Sequence, residues 1–379
     1  VQIPFNASPR TSLGVEWELQ LVDPATRELA SAASDVLHDL AGDGEHPKAK
    51  HELFESTIEI ITGVCMTVAD AKADLAATLS EVTAAADRRG LGVMCSGTHP
   101  TTEWPEQRIS PDPRYEKLIE RMQWMAQRLQ IFGVHVHVGI RSPDKAIPIV
   151  NALTSYVPHL LALSASSPYW RGRDTGLASS RSKIFEGLPT AGLPVQLADW
   201  TEFEQLMGTL VASGTIETIR EIWWDIRPHP GFGTVELRIC DGLPTLHEIG
   251  AIAALSQCLV DQLNTQLDRG YQLPRPNTWV QRENKWRAAR HGLDAELILD
   301  EHGTTRPLRE AIAELVHDLG PLAERLGCAA ELDDVTSILE VGASYERQRK
   351  VAADNGGDVR AVVDSLLAEM KAGHPGVRS

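Results

Sequence analysis

Three pairs of side chains in this chain are of the kinds that hold divalent cations and phosphates. Glu16 and Glu18 lie in Gly14-Val15-Glu16-Trp17-Glu18-Leu19-Gln20-Leu21. His135 and His137 lie in Gly133-Val134-His135-Val136-His137-Val138, and Glu236 and Arg238 in Thr234-Val235-Glu236-Leu237-Arg238-Ile239-Cys240. Carboxylates and imidazoles ligate cations, and guanidinium groups clamp phosphoryl oxygens in two-pronged fashion. All three segments alternate with apolar residues. In a strand, successive side chains point to opposite faces, so each segment would bury one face and offer its chemical pair on the other. Any one pair alone is most simply a solvated strand face. Three such strands carrying Glu, Glu, His, His, Glu and Arg, where ordinary sheets carry Thr, Lys and Ser, point to one shared site.

Further candidates surround these. His51-Glu52-Leu53-Phe54-Glu55-Ser56-Thr57-Ile58-Glu59 brings three more glutamates. The β-branched run from Thr57 to Thr62 favours a strand there, which makes Glu59 the first candidate. Glu52 comes next, needing a bend or bulge to reach the same face, and Glu55 comes last. Arg227, close to Arg238 in sequence, is a second phosphoryl clamp. Arg181, Arg347 and Arg349 are further candidates for anion contacts, with a plain surface arginine the commoner explanation for each, and His99 is open between a cleft position and a structural one. The adjacent Trp223 and Trp224 read as packing.

The elements that must position these groups are legible in outline. Residues 12–65 are rich in strand-like patterns, and Thr67 to Arg89 reads as a helix with Thr67 as N-cap and Gly90 beyond its end. Leu91 to Thr98 reads as a strand, Arg114 to Gln130 as one amphipathic helix, and Ser142 to Ser164 as another. Residues 165–200, punctuated by Gly and Pro, read as a long functional loop. Helices are expected over 201–213, 215–222 and 246–268, and only helices after residue 280. The architecture that follows is α+β: a mainly antiparallel sheet forming an open cleft, with helices packed on its other face. One catalytic domain over 1–379 is expected, sheet and helices to about residue 275 and a helical section over 276–379 packed on them.

Composition narrows the function. The chain has 379 residues, and its 36 basic against 52 acidic side chains give a net charge of −16. That charge disfavours nucleic acid and anionic membranes as partners and suits a protein whose site takes cations. The five cysteines are dispersed without a Cys-x-x-Cys spacing, which argues against a disulfide framework and for a reducing, cytoplasmic setting. No apolar run reads as a membrane span and no signal peptide is evident; with Val1 in first place, the numbering is expected to start inside the reading frame. A phosphate-binding Gly-x-x-x-x-Gly-Lys loop and a dinucleotide fingerprint are both absent, so a nucleotide would be held by metal and arginine. A homodimer is the default assembly, being the commonest closed form.

The motif set resembles the bacterial carboxylate–amine ligases, also called glutamate–cysteine ligase type 2. The resemblance rests on Leu13-Gly-Val-Glu-Trp-Glu18, His51-Glu-Leu-Phe-Glu-Ser56, Gly133-Val-His-Val-His-Val-Gly139 and Leu163-Ser-Ala-Ser-Ser-Pro-Tyr-Trp170. Trp223-Trp-Asp-Ile-Arg-Pro228, Thr234-Val-Glu-Leu-Arg-Ile-Cys-Asp241 and Asn284-Lys-Trp-Arg-Ala-Ala-Arg-His-Gly292 extend it, so that it spans residues 12 to 350. It implies a glutamine-synthetase-like fold with the sheet as floor of an ATP site. Glu16, Glu18, Glu52, Glu59, one or both of His135 and His137, and Glu236 would then hold Mg2+, with Mn2+ as a substitute. Arg238, Arg227 and Glu236 would be catalytic, and Arg238, His137 and Arg181 would meet the nucleotide. The implied reaction is ATP-dependent coupling of a carboxylate, the glutamate side chain, to an amine such as cysteine. A phosphotransferase without amide formation and a non-catalytic nucleotide-binding protein are the alternatives.

Overall fold

The computed structural model describes residues 2–376. Its centre is one antiparallel sheet of β1 (Leu13–Val22), β2 (Ala49–His51), β3 (Thr57–Ile61), β4 (Gly92–Met94), β5 (Val134–Gly139), β8 (Ile226–His229) and β9 (Thr234–Leu237). Between β5 and β8 the chain makes a separate hairpin, β6 (Tyr169–Trp170) and β7 (Arg173–Asp174). The strand order is β2-β3-β1-β5-β9-β8, and β4 pairs with β1 where β5 has ended.

The alternation read in the sequence sets the two faces. Val15, Trp17, Leu19, Val134, Val136, Val235 and Leu237 are all buried on one face, with Ile58 and Ile60 of β3 beside them. They belong to one core with helices Val68–Arg88, Pro143–Leu153 and Leu246–Asp268. Burying such a side chain is worth about 1.5–3 kcal/mol, so a one-residue slip of any central strand would turn several of these outward at prohibitive cost. The register is therefore strongly specified. It sets Glu18 opposite Glu59, Glu16 opposite His135, His137 opposite Glu236, and Glu236 opposite Arg227.

Local signals held where they were strongest. The helix Val68–Arg88 begins at Thr67, whose side chain accepts from the Asp70 N–H in a capping box, and the helix Leu246–Asp268 covers its expected span. Other boundaries differ. Residues 12–65 also contain a helix, Ala33–Ala41, and the strand expected over 91–98 is only Gly92–Met94. The helix expected over 114–130 stops at Met122, because Gln123 takes a left-handed φ of 48° before a short turn Trp124–Gln127. The 142–164 helix is broken by a 3-10 turn, Thr154–Tyr156, ahead of Pro158. The 165–200 loop contains β6, β7 and a helix Ser180–Phe185, and 215–222 retains only a 3-10 turn, Ile219–Glu221. After residue 280 there is a hairpin, β10 (Glu296–Ile298) with β11 (Thr305–Pro307), where only helices were expected.

The stretch Pro143–Ser164 is as long and apolar as a membrane-crossing helix, contrary to the sequence reading, but most of it is buried inside the protein. It is a core element. The C-terminal helices share the same core, which takes in Leu13 of β1 and Met370 of the helix Arg360–Ala372.

Candidate active site

The polar face of the sheet brings two groups of ligand atoms together. Among the described residues, Glu16, His137 and Glu236 each offer an atom within 4.8 Å of the other two, and so do Glu18, Glu52 and Glu59. Strand register explains both. Glu18 and Glu59 face each other across β1 and β3, and Glu16 stands beside the two histidines of β5.

In the first group, Glu16 bridges the imidazoles: Oε2 lies 3.1 Å from His135 Nδ1 and Oε1 lies 3.2 Å from His137 Nε2. Burial works against ionisation of Glu16, but hydrogen bonds from His135 and His137 prevail and hold it well below the usual carboxylate range. Burial likewise opposes Glu236, and the Arg238 and Arg227 charges outweigh it. Both carboxylates are thus ionised and ready for a cation. His137 Nδ1 is within 3.0 Å of Thr234 Oγ1, which leaves Nε2 facing Glu16 and Glu236. A hydrogen bond on the far nitrogen is how ligating histidines are oriented. His135 is pushed down to about 4 by burial and then by Arg238, so it is neutral.

The second group behaves oppositely. Burial, and then the neighbouring Glu52 charge, push Glu18 up to about 8. Glu59 is raised well above its usual range by burial and by Glu16, Glu52 and Glu18, and Glu52 is raised mainly by burial. Three carboxylates at this separation cannot all ionise unless a cation offsets their repulsion, so the donor set fits a hard divalent ion such as Mg2+. Glu18 is aimed by the Gly133 N–H, which donates to its Oε2 at 2.5 Å. A side chain at Gly133 would run into the Arg181 guanidinium and His135.

The arginines divide by role. Arg238 follows β9; its Nη1 contacts Glu236 and lies 3.4 Å from His135 Nδ1, while its Nε is buried without a partner. An unpaired buried guanidinium donor is costly, and an anionic oxygen would satisfy it. Arg227 is different from expectation. Its Nε donates to Glu236 at 2.7 Å and its Nη1 to the Arg220 and Ile222 carbonyls at 2.8 and 2.7 Å. It holds Glu236 in place and has no free fork for a phosphoryl group. Arg181 is also engaged, with Nη1 on the Ile239 and Arg238 carbonyls at 3.3 and 3.5 Å, although its Nε has no partner.

Other candidates lie elsewhere. Arg347 is buried between Glu248 and Glu369, and Arg349 pairs with Asp174, so neither reaches the site. Glu55 turns away to hold Ser34, accepting from its hydroxyl at 2.6 Å and its N–H at 3.2 Å. His99 is structural: its Nδ1 accepts from the Thr101 and Thr102 N–H groups, and burial pushes it down to about 3. Trp224 packs in a satellite core with Trp200 and Phe203, as adjacent tryptophans usually do.

Three positioning residues were missed in the sequence: Thr234, Gly133 and Asp241. Thr234 was findable, since it lies two residues before Glu236 and so on the same face. Asp241 was not. Buried under the exit of β9, it accepts from the Ser166 N–H and the Ser167 hydroxyl on one oxygen and the Ser179 hydroxyl on the other, pinning the 165–181 segment to the sheet.

Residues 12–365 match the model of the family described as glutamate-cysteine ligase family 2. A protein of Frankia casuarinae named "Putative glutamate–cysteine ligase 2-1" is 64% identical over 99% of this chain and 99% of its own length. One of Thermobifida fusca named "Putative glutamate–cysteine ligase 2" is 56% identical over 100% of this chain and 95% of its own. Among solved structures, a glutamate–cysteine ligase of Francisella tularensis in complex with AMP superposes with a TM-score of 0.70 at 12% identity, covering 97% of this chain and 90% of that one. A bifunctional glutathione synthetase of Pasteurella multocida gives 0.67 at 16% identity, covering 96% of this chain and 52% of that one. These superpositions establish the α+β fold with its open sheet.

Proposed function

This chain belongs to glutamate–cysteine ligase family 2, with a glutamine-synthetase-like fold, and is an ATP-dependent ligase forming C–N bonds; on that premise we propose what its site does. It activates a carboxylate, the glutamate side chain, as an acyl phosphate and couples it to an amine such as cysteine. The supporting observation is the convergence on a single sheet face of two separate ligand groups, Glu16, His137 and Glu236 and the all-carboxylate Glu18, Glu52 and Glu59, with Arg238, whose Nε has no partner.

An ionised carboxylate is a poor electrophile, because its oxygen is a very poor leaving group. Moving the γ-phosphoryl group of ATP onto it yields ADP and an acyl phosphate. Attack by the amine then forms the amide and releases inorganic phosphate. Transfer between two anions is governed by positioning and charge neutralisation, and no side-chain nucleophile is required. Glu16, His137 and Glu236 would hold one divalent cation, and Glu18, Glu52 and Glu59 another; bound there, such ions neutralise the phosphates and polarise the phosphoryl group. Arg238 offers its unpartnered Nε to a phosphoryl oxygen where charge develops. Arg227 fixes Glu236, Thr234 orients His137, and the Gly133 N–H aims Glu18.

The test is a screen of amino-acid pairs for ADP production with Mg2+ or Mn2+, with mass spectrometry of the products. ADP that requires both acid and amine, together with a new amide, is the expected result. ADP release with a phosphorylated acceptor and no amide would make the protein a phosphotransferase, and no nucleotide turnover with any pair would sink the proposal.

A further inference from the structure

We propose that the exposed ring of Phe232, stacked on His229, is the platform on which the purine base of the nucleotide lies, a subsite that rests on the ligase reading above. Phe232 sits in the turn between β8 and β9 and is 62% exposed. One face of its ring is covered by His229, with centroids 4.1 Å apart and planes 13° from parallel. The rings of His229 and Phe232 each meet His137 edge-on, at 5.4 and 5.5 Å. A solvent-exposed aromatic therefore abuts a residue whose other edge faces Glu16 and Glu236.

A single exposed apolar residue is ordinary on a protein surface. This one is held rigidly. The Asn6 N–H donates to the Pro230 carbonyl at 3.0 Å, and the Asn6 amide donates to the Gly231 carbonyl at 2.8 Å. The Phe232 N–H donates to His229 Nδ1 at 3.3 Å. Gly233 takes a φ of +66° and lies so close beneath Asn6 that a Cβ there would fall 1.6 Å from its carbonyl oxygen, so no other residue keeps this turn. The N-terminal segment thus straps the turn and presents the ring without further loss of chain entropy.

Position along the sheet gives the platform its ligand. From the turn, the polar face runs through His137 with Glu236, then Glu16 with His135 and Arg238, and then Glu18 with Glu59. At about 3.4 Å per residue, Thr234 to Arg238 covers roughly 14 Å, a span that a ribose and triphosphate can bridge. A flat π-system at one end and cation ligands with an arginine beyond it match the parts of a nucleoside triphosphate in order. Stacking on an aromatic face accepts any base, because every base has a π-face.

The experiment measures binding of Mg-ATP and of Mg-tripolyphosphate, which lacks the base, to the full chain, to Phe232→Ala and to Phe232→Trp. Phe232→Ala should weaken ATP about 10- to 100-fold, the range that one stacked base contributes, and leave tripolyphosphate within about twofold. Phe232→Trp should bind ATP at least as tightly as the original chain, with its indole fluorescence altered by ATP and not by tripolyphosphate. Unchanged ATP affinity in Phe232→Ala, or equal loss of both ligands, overturns the subsite while leaving the ligase reading intact. If the unsubstituted chain binds neither ligand, the ligase reading itself falls, and the subsite with it.

Discussion

Cation binding at Glu18, Glu52 and Glu59 should release protons, and the amount follows from the structure. Burial and the Glu52 charge place Glu18 at about 8, against an ordinary value of 4.5. At about 1.4 kcal/mol per pK unit, the site disfavours ionised Glu18 by on the order of 5 kcal/mol relative to water, and at pH 7 about 1.4 kcal/mol of ionisation cost is left for a bound ion to offset. At pH 7 roughly nine-tenths of Glu18 is protonated, and Glu59 is raised well above its usual range as well, so filling this group displaces at least about one proton. Linkage then makes the apparent affinity rise at least about tenfold per pH unit below pH 8. The assay is Mn2+ titration calorimetry in buffers of different ionisation enthalpy, which counts protons directly, repeated from pH 6 to 9. Glu52→Gln supplies the control. It removes a ligand, so affinity at pH 9 falls. It also removes the charge that adds to burial in raising Glu18, so the pH dependence becomes shallower and proton release at pH 7 drops. Glu16 and Glu236 are already ionised and release no carboxyl proton; His137, which is raised, is common to both proteins and drops out of the comparison. A flat affinity between pH 6 and 8 with no proton release, or superimposable curves for the two proteins, would refute the reasoning.

Glu16→Gln should abolish ATP-dependent product formation with little change in thermal melting, because the Glu16 side chain is 25% exposed and anchors no arginine. Glu236→Gln should abolish activity and also lower the melting temperature. It leaves Arg227 and Arg238 without their buried counter-charge, a loss of about 3–5 kcal/mol when one partner of such a pair is removed; equal melting of the two variants would contradict this. Arg238→Ala should cost on the order of 100-fold or more in turnover, measured at saturating ATP, if it stabilises the transferring group. His99 bears on acid stability. It is pushed from 6.5 down to about 3, so between these values the unfolded chain binds a proton that the folded chain does not. Its contribution is complete above pH 6.5 and is lost as pH falls. His99→Asn keeps an acceptor for the Thr101 and Thr102 N–H groups and should make unfolding free energy between pH 6 and 4 shallower by about 1.4 kcal/mol per pH unit. An unaltered slope in urea melts would exclude that role.

The pairing of faces was legible in the chain itself. Period-two alternation is imposed by backbone stereochemistry within each strand, so Val15, Trp17, Val134, Val136, Val235 and Leu237 had to be buried together. Glu16, Glu18, His135, His137 and Glu236 had to share the other face. Thr67 with Asp70 likewise fixes a helix start locally. What lies across from a residue is a matter of register and of turns between distant segments, which no local pattern encodes. Glu52 and not Glu55 joins Glu18 because the chain turns between β2 and β3, sending Glu55 to Ser34. Arg227 became the support of Glu236 because β8 and β9 pair at those two positions, and Arg347 went to Glu248 and Glu369 because three helices meet there. A guanidinium group looks the same in sequence whether it clamps a substrate or braces a buried carboxylate. Only the partners that the folded chain places around it separate the two.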